Sequence, residues 1–173
     1  LACKYCYLVG KNNHGRMTWE TAKAAVDYIL SNEKDFPEES VIWDFIGGEP
    51  LLEIDLIDKL CDYIKYELYR LNHHWFNSYR FSFTTNGINY HTPKVQNLIN
   101  KNKEHISIAI TIDGTKEKHD LNRIWLTDDG KERGSYDDVV RNIPLWLEQF
   151  PKGGTKVTIS SADIPFIKDS VLH

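Results

Sequence analysis

Apolar side chains recur along the chain with two different periods. Trp19, Ala22, Val26, Ile29 and Leu30 fall three or four residues apart, as do Ile54, Ile57, Leu60, Cys61, Ile64, Leu68 and Leu71. That spacing lines one face of a helix. A shorter helix is expected after Pro93, because proline suits a first helical turn. Another is expected over 136–150, where Ser135 and Asp138 have capping-box spacing and Pro144 should kink the axis. Four runs rich in β-branched and aromatic residues read as strands: 41–46 (VIWDFI), 79–84 (YRFSFT), 106–112 (ISIAITI) and 156–160 (KVTIS). Strands alternating with helices predict βαβ units and a parallel sheet. No internal repeat, low-complexity tract or linker interrupts them. The charged stretch 114–134 lacks either period and reads as a long loop, a kind of segment that is often functional.

Composition narrows the partners. The chain has 173 residues, enough for one domain with a sizeable core. Its net charge of −4, with both signs interspersed, argues against a nucleic-acid binder, which would carry a basic stripe. No apolar run approaches the ~20 residues that cross a bilayer, and the first residues lack a signal-peptide pattern. Three cysteines are too few for a secreted disulfide framework, so a reducing, cytoplasmic compartment is expected. There is no initiator Met, and the last residues, FIKDSVLH, break off inside what reads as a new helix. The chain therefore reads as a fragment of a longer one.

Polar and glycine residues gather where the strands end. VIWDFI runs into Gly47-Gly48-Glu49-Pro50, YRFSFT into Thr85-Asn86-Gly87, ISIAITI into Asp113-Gly114, and KVTIS into Ser160-Ser161. In a parallel α/β protein the carboxyl ends of the strands form the ligand-binding rim. Paired glycines let a ligand approach the backbone, and Glu49 can accept hydrogen bonds from an ammonium group. The bland alternative is a plain βα turn with a solvated Glu. Asp113 could likewise cap a turn with Gly114 or serve a site.

Two cysteines, Cys3 and Cys6, lie in the opening LACKYCY. Such a pair can be a thiol-redox motif, half of a zinc site or part of an iron–sulfur ligand set. A redox motif should open a helix, whereas YLVGKNNHG reads as a loop. A zinc site needs two more ligands. Cys61 falls on an apolar helix face and reads as an inert core thiol, and His73-His74 read as solvated or packing residues. An iron–sulfur set needs at least one more Cys, which residues preceding Leu1 could supply.

At this point the motifs resemble those of the radical S-adenosylmethionine (SAM) superfamily. LACKYCY is similar to the end of its C-x-x-x-C-x-aromatic-C loop, whose three cysteines hold a [4Fe–4S] cluster; the first would fall two residues before Leu1. IGGEPLL resembles the GGEP motif. TTNG and T-I-D-G-T-x-x-x-H-D-x-x-R resemble strand-end motifs of the peptide-modifying members, and all occur in the family's order. The resemblance implies an α/β fold, a partial (βα) barrel of the radical SAM type with its first strand and C-terminal part missing, and a single incomplete core domain over 1–173.

By that resemblance Cys3 and Cys6 would be cluster ligands and Tyr5 would lie beside the SAM adenine. Gly47, Gly48 and Glu49 would hold the SAM amino group. Asn86 and Thr111, the latter in place of a more usual serine, would lie near the ribose and carboxylate. Arg123 would bind the carboxylate, with Arg133 as second choice. The implied cofactors are a [4Fe–4S] cluster and SAM. The implied reaction is reductive SAM cleavage to a 5′-deoxyadenosyl radical, which abstracts hydrogen from a peptide or protein. An electron donor such as a flavodoxin or ferredoxin is implied, and no nucleic acid or membrane partner. The motif combination looks most like peptide or sulfatase maturases. The runs VIWDFIGGEPLLEIDLID and SYDDVVRNIPLWLEQFPKGGTKVTIS resemble a group thought to act on CXXX-repeat peptides, so a short cysteine-rich peptide is a candidate substrate. The fragment alone, with two of three thiolates, is expected to be inactive. A zinc-binding or thiol-redox module, and a non-catalytic binding domain, remain the alternatives.

Overall fold

The computed structural model describes residues 1–8 and 15–172; the loop expected around 7–15 lies mostly outside them. The chain divides into two compact units. One comprises Asn13–Phe83 and Thr92–Ser107, the other Leu1–Asn12, Thr84–His91 and Ile108–His173.

In the first unit the helical periods become three packed helices. Helix α1 (Trp19–Ser31) starts at Thr18, whose hydroxyl accepts from the Thr21 N–H, and buries Ala22, Val26 and Leu30. This face packs on α2 (Ile54–Arg70), which buries Ile57, Leu60, Cys61, Ile64 and Leu68. Helix α3 (Pro93–Asn102) packs on α2 and buries Val95, Leu98 and Ile99. Each of the Val, Leu and Ile side chains among them contributes about 1.5–3 kcal/mol when fully buried. Strand β1 (Val41–Phe45) runs parallel to β2 (Tyr79–Thr85), in register from Val41 opposite Tyr79 to Phe45 opposite Phe83. The Phe45 and Phe83 rings stack with centroids 4.9 Å apart.

The second unit starts from the end of β2 and most of β3 (Ile106–Thr111). It continues with α4 (Lys116–Asn122), β4 (Ile124–Leu126), β5 (Glu132–Gly134), α5 (Tyr136–Val140), α6 (Ile143–Gln149), β6 (Thr155–Lys156) and α7 (Ile167–Leu172). β3 pairs parallel with β6. The hydrogen-bonded strand order is β1-β2-β3-β6, so the expected α/β architecture with a parallel sheet is observed.

Three expectations need correction. The stretch 114–134 is not a long loop, because it forms α4 and an antiparallel hairpin of β4 and β5. The fourth strand is two residues long and begins one residue earlier than expected. Its continuation leaves the ladder where the Thr158 N–H turns to the Asp113 carboxylate at 3.0 Å. The helix expected over 136–150 is two helices, with Pro144 in the first turn of the second. Ser135 makes no capping bond there. Its oxygen instead accepts from His119 Nε2 at 3.0 Å and its hydroxyl donates to the Arg123 carbonyl at 2.7 Å, while the Asp138 carboxylate is taken by Trp125, Arg133 and Arg141.

Candidate cofactor site

Cys3 and Cys6 close a turn in which the Cys6 N–H donates to the Cys3 carbonyl at 3.0 Å. Both thiols are free and partly buried. The chain after α4 holds this turn in place: the Ala2 N–H donates to the Ile124 carbonyl at 2.8 Å and the Lys4 N–H to the Asn122 carbonyl at 2.9 Å. Lys4 also pairs with Glu132 at 2.8 Å. Burial pushes the Cys3 thiol up, and the Arg123 guanidinium opposes that shift.

Tyr5, between the two cysteines, carries a polar network. Its hydroxyl donates to Asp113 Oδ2 at 2.6 Å and accepts from Arg123 Nη1 at 2.7 Å. Burial and the Asp113 hydrogen bond push the phenol up to about 12, so it stays neutral. Asp113, which follows β3, is wholly buried, and its Oδ1 accepts from the Thr158 N–H. Arg123 is buried as well; desolvation opposes its charge, but the Tyr5 bond and the nearby Cys3 hold its pKa above the usual arginine value. Its Nε is buried and has no hydrogen-bond partner. With Nη1 committed to Tyr5, the Nε–Nη2 edge remains, which is the edge that grips a carboxylate with two parallel bonds.

The other strand-end residues of this unit are shaped by their turns. Thr85 Oγ1 accepts from the Gly87 N–H at 3.0 Å and Asn86 Oδ1 from the Ile88 N–H at 2.9 Å. Gly87 has φ +76°, and a Cβ there would lie 2.8 Å from Ile110 Cγ2, so only glycine fits. Asn142 Nδ2 donates to the Gly87 and Ile88 carbonyls and fixes the turn from the other side. Thr111 is buried at the end of β3.

GGEP belongs to the other unit, at the carboxyl end of β1. Gly47 has φ +133°, and Cβ atoms built on Gly47 or Gly48 would meet nothing within 4 Å. The space beside both α-carbons is therefore open. Glu49 Oε1 accepts from the Leu51 N–H at 3.1 Å and caps the 3-10 turn Pro50–Glu53. Cys61 is wholly buried, and burial raises its thiol far above the usual range, in keeping with an inert core role.

Among the described residues, Glu33, His73 and His74 bring three potential ligand atoms within 4.8 Å of one another. His73 is buried and its Nδ1 accepts from the Trp75 N–H. In the neutral ring Nε2 must then carry the proton and has no lone pair for a metal. His74 Nε2 and Trp75 Nε1 both lie on the Glu38 carbonyl, at 3.0 and 2.6 Å. The trio clips the chain before β1 onto the turn before β2, a packing role.

Of the residues singled out in the sequence, Cys3, Tyr5, Cys6, Asn86, Thr111 and Arg123 fall within one unit, and Gly47, Gly48 and Glu49 within the other. The second-choice Arg133 is committed to Asp138 at 2.7 Å and is exposed. His119, Ser135, Asn142 and Thr158 escaped sequence reasoning. Ser135 was read there only as a cap, Asn142 and Thr158 stood in quoted runs without a role, and nothing local told the packed role of His119 from a ligand's.

The chain matches the family described as a 4Fe-4S single cluster domain over residues 1–132, and it belongs to that family. It is 30% identical over 180 residues to the uncharacterized protein MJ0907 of Methanocaldococcus jannaschii, a match that covers all of this chain and 54% of that protein. Native anSMEcpe with bound AdoMet (S-adenosylmethionine) has a similar fold, with a TM-score of 0.75 at 20% identity over 99% of this chain and 43% of that one. Native anSMEcpe with bound AdoMet and Kp18Cys peptide gives 0.73 at 21% identity with the same coverage. The chain thus spans about half the length of the curated relative and less than half of the solved chains. The mixed α/β fold with its parallel sheet is borne out, and the family match agrees with the expected [4Fe–4S] cluster.

Proposed function

We propose that this chain is the core of a radical SAM enzyme that acts on a peptide. The observation that carries the reading is Arg123: a buried guanidinium, hydrogen-bonded to the tyrosine between Cys3 and Cys6, keeps a buried Nε–H without a partner. A buried cation with an unfilled donor is costly unless a ligand completes it, and the carboxylate of SAM fits that edge. The donor set is also apt for the metal, since two free, partly buried thiols close one turn.

In this reading Cys3 and Cys6 hold two corners of a [4Fe–4S] cluster, and a third thiolate lies outside this chain. Tyr5 lies against the adenine. Gly47 and Gly48 let the amino group approach and Glu49 accepts its hydrogen bonds, while Asn86 and Thr111 face the ribose and carboxylate. Cluster and SAM, when bound, would supply reductive cleavage of SAM and hydrogen abstraction from the substrate. The protein's own work is to orient the carboxylate and amino groups and to exclude water from the thiolates. The substrate is a peptide, in its narrowest form a short cysteine-rich one, and an electron donor of the flavodoxin or ferredoxin class reduces the site.

The test is metal content after anaerobic reconstitution with iron and sulfide. The full-length protein should hold iron and acid-labile sulfide in equal amounts, and C3A and C6A should lose them. The 173-residue chain alone should hold the cluster poorly, because metal binding needs every placed, deprotonated ligand. Zinc in place of iron would instead favour a zinc or thiol-redox module.

A further inference from the structure

The geometry points to Asp113 and Tyr5 as positioning residues that lock the cysteine turn and the Arg123 guanidinium into one preorganised unit through a closed ring of hydrogen bonds. The consequence for a cofactor rests on the reading above; the ring itself does not.

Five residues form the ring, and every donor points the same way round. The Asp113 N–H donates to His119 Nδ1 at 3.3 Å. With Nδ1 accepting, Nε2 carries the His119 proton and donates to Ser135 Oγ at 3.0 Å. Ser135 Oγ donates to the Arg123 carbonyl at 2.7 Å. Arg123 Nη1 donates to the Tyr5 oxygen, and the Tyr5 hydroxyl returns to Asp113 Oδ2. Asp113, His119 and Ser135 are wholly buried and Arg123 nearly so. Neighbouring bonds polarise each other through the His119 ring, the Ser135 hydroxyl and the Tyr5 hydroxyl, and the covalent frames of Arg123 and Asp113 close the circuit mechanically.

Tyr5 is the ring's outermost member, 38% exposed, and it lies between the two thiols in sequence. The ring therefore fixes the cysteine turn to the end of β3 and to the α4 C-terminus. The same bonds aim Arg123, because its Nη1 is occupied and its Nε–Nη2 edge is thereby turned elsewhere. Asp113 also supplies the negative charge that a buried Arg123 needs. A ligand carboxylate on Arg123 and a metal on the thiolates would then be felt by each other through Tyr5.

The experiment uses the full-length protein with D113N, Y5F and the double substitution, followed by hydrogen exchange with mass spectrometry and by reduced-cluster EPR with and without SAM. The Lys4 and Cys6 amides should exchange at least about tenfold faster in either single variant, with α2 unchanged as the folding control. The double variant should exchange no faster than the faster single variant, since both substitutions break the Tyr5–Asp113 bond and Y5F also removes the acceptor of Arg123 Nη1. In the iron-loaded protein, the spectral change on adding SAM should shrink in Y5F at unchanged iron content. If D113N loses protection in α2, Y5F carries the test, because it removes only one hydroxyl from a partly exposed side chain. Wild-type exchange at Lys4 and Cys6 in Y5F, or additive effects in the double variant, would overturn the inference. A wild-type protein that holds no cluster would overturn the proposed function, while the exchange data would still decide the ring.

Discussion

Tyr5 and Asp113, 108 positions apart, share a 2.6 Å hydrogen bond. That bond joins the Cys-x-x-Cys turn to the end of a central strand. It couples two motifs that the sequence presents as separate, and it explains how a short N-terminal segment without a strand or helix of its own is held in place.

Glu49 separates a turn role from a ligand role. Its Oε1 caps Leu51, and a glutamine oxygen can accept the same bond. E49Q should therefore change stability by less than about 0.5 kcal/mol. If Glu49 also holds the SAM ammonium, the variant should weaken SAM binding roughly ten- to hundredfold at constant cluster content, as loss of a charge-assisted bond requires. Calorimetric titration with SAM checks this. Equal affinity would contradict the ammonium-binding role of Glu49.

Gly87 tests the strand-end turn. G87A faces both a positive φ of 76° and a 2.8 Å approach to Ile110, so it should destabilise the protein by about 1–3 kcal/mol in urea melts. G48A, which meets open space, should be nearly neutral in stability and register instead in SAM affinity.

His119 sets a pH dependence. Burial and the Arg123 charge lower it to about 4 from its ordinary 6.5. Asp113, Asp120 and Lys116 also act on it, and Tyr136 packs on its ring. Between these two values the unfolded chain binds more protons than the folded one, so stability rises with pH across that window and is lost as pH falls from about 6.5 to 4. Fully expressed, the difference is worth about 3 kcal/mol. Denaturant melts at pH 7 and pH 4.5 should show the loss in the wild type and a smaller one in H119N. Equal losses would assign the acid sensitivity to other groups.

Local signals made much of this fold legible. The helical spacing from Trp19 to Leu30 and from Ile54 to Leu68 became buried faces because periodicity and burial share one geometric cause. The first three strands ended within one residue of their expected limits for similar reasons. The failures share a different cause. Thr158 left its strand for Asp113, and the Ser135 oxygen accepts from His119 in place of a cap, each a contact between distant residues. In the site, Cys3, Cys6 and Arg123 were legible as chemistry, but the ring through His119 and Ser135 exists only after folding.

The most direct measurement is 5′-deoxyadenosine formation from SAM by the full-length protein, reconstituted anaerobically and reduced with dithionite. The account predicts product with the wild type, none with C3A or C6A, and a rate in R123A reduced at least about tenfold at unchanged iron content. Undiminished product from C3A or C6A would contradict the assignment of the cysteine turn and, with it, the proposed function.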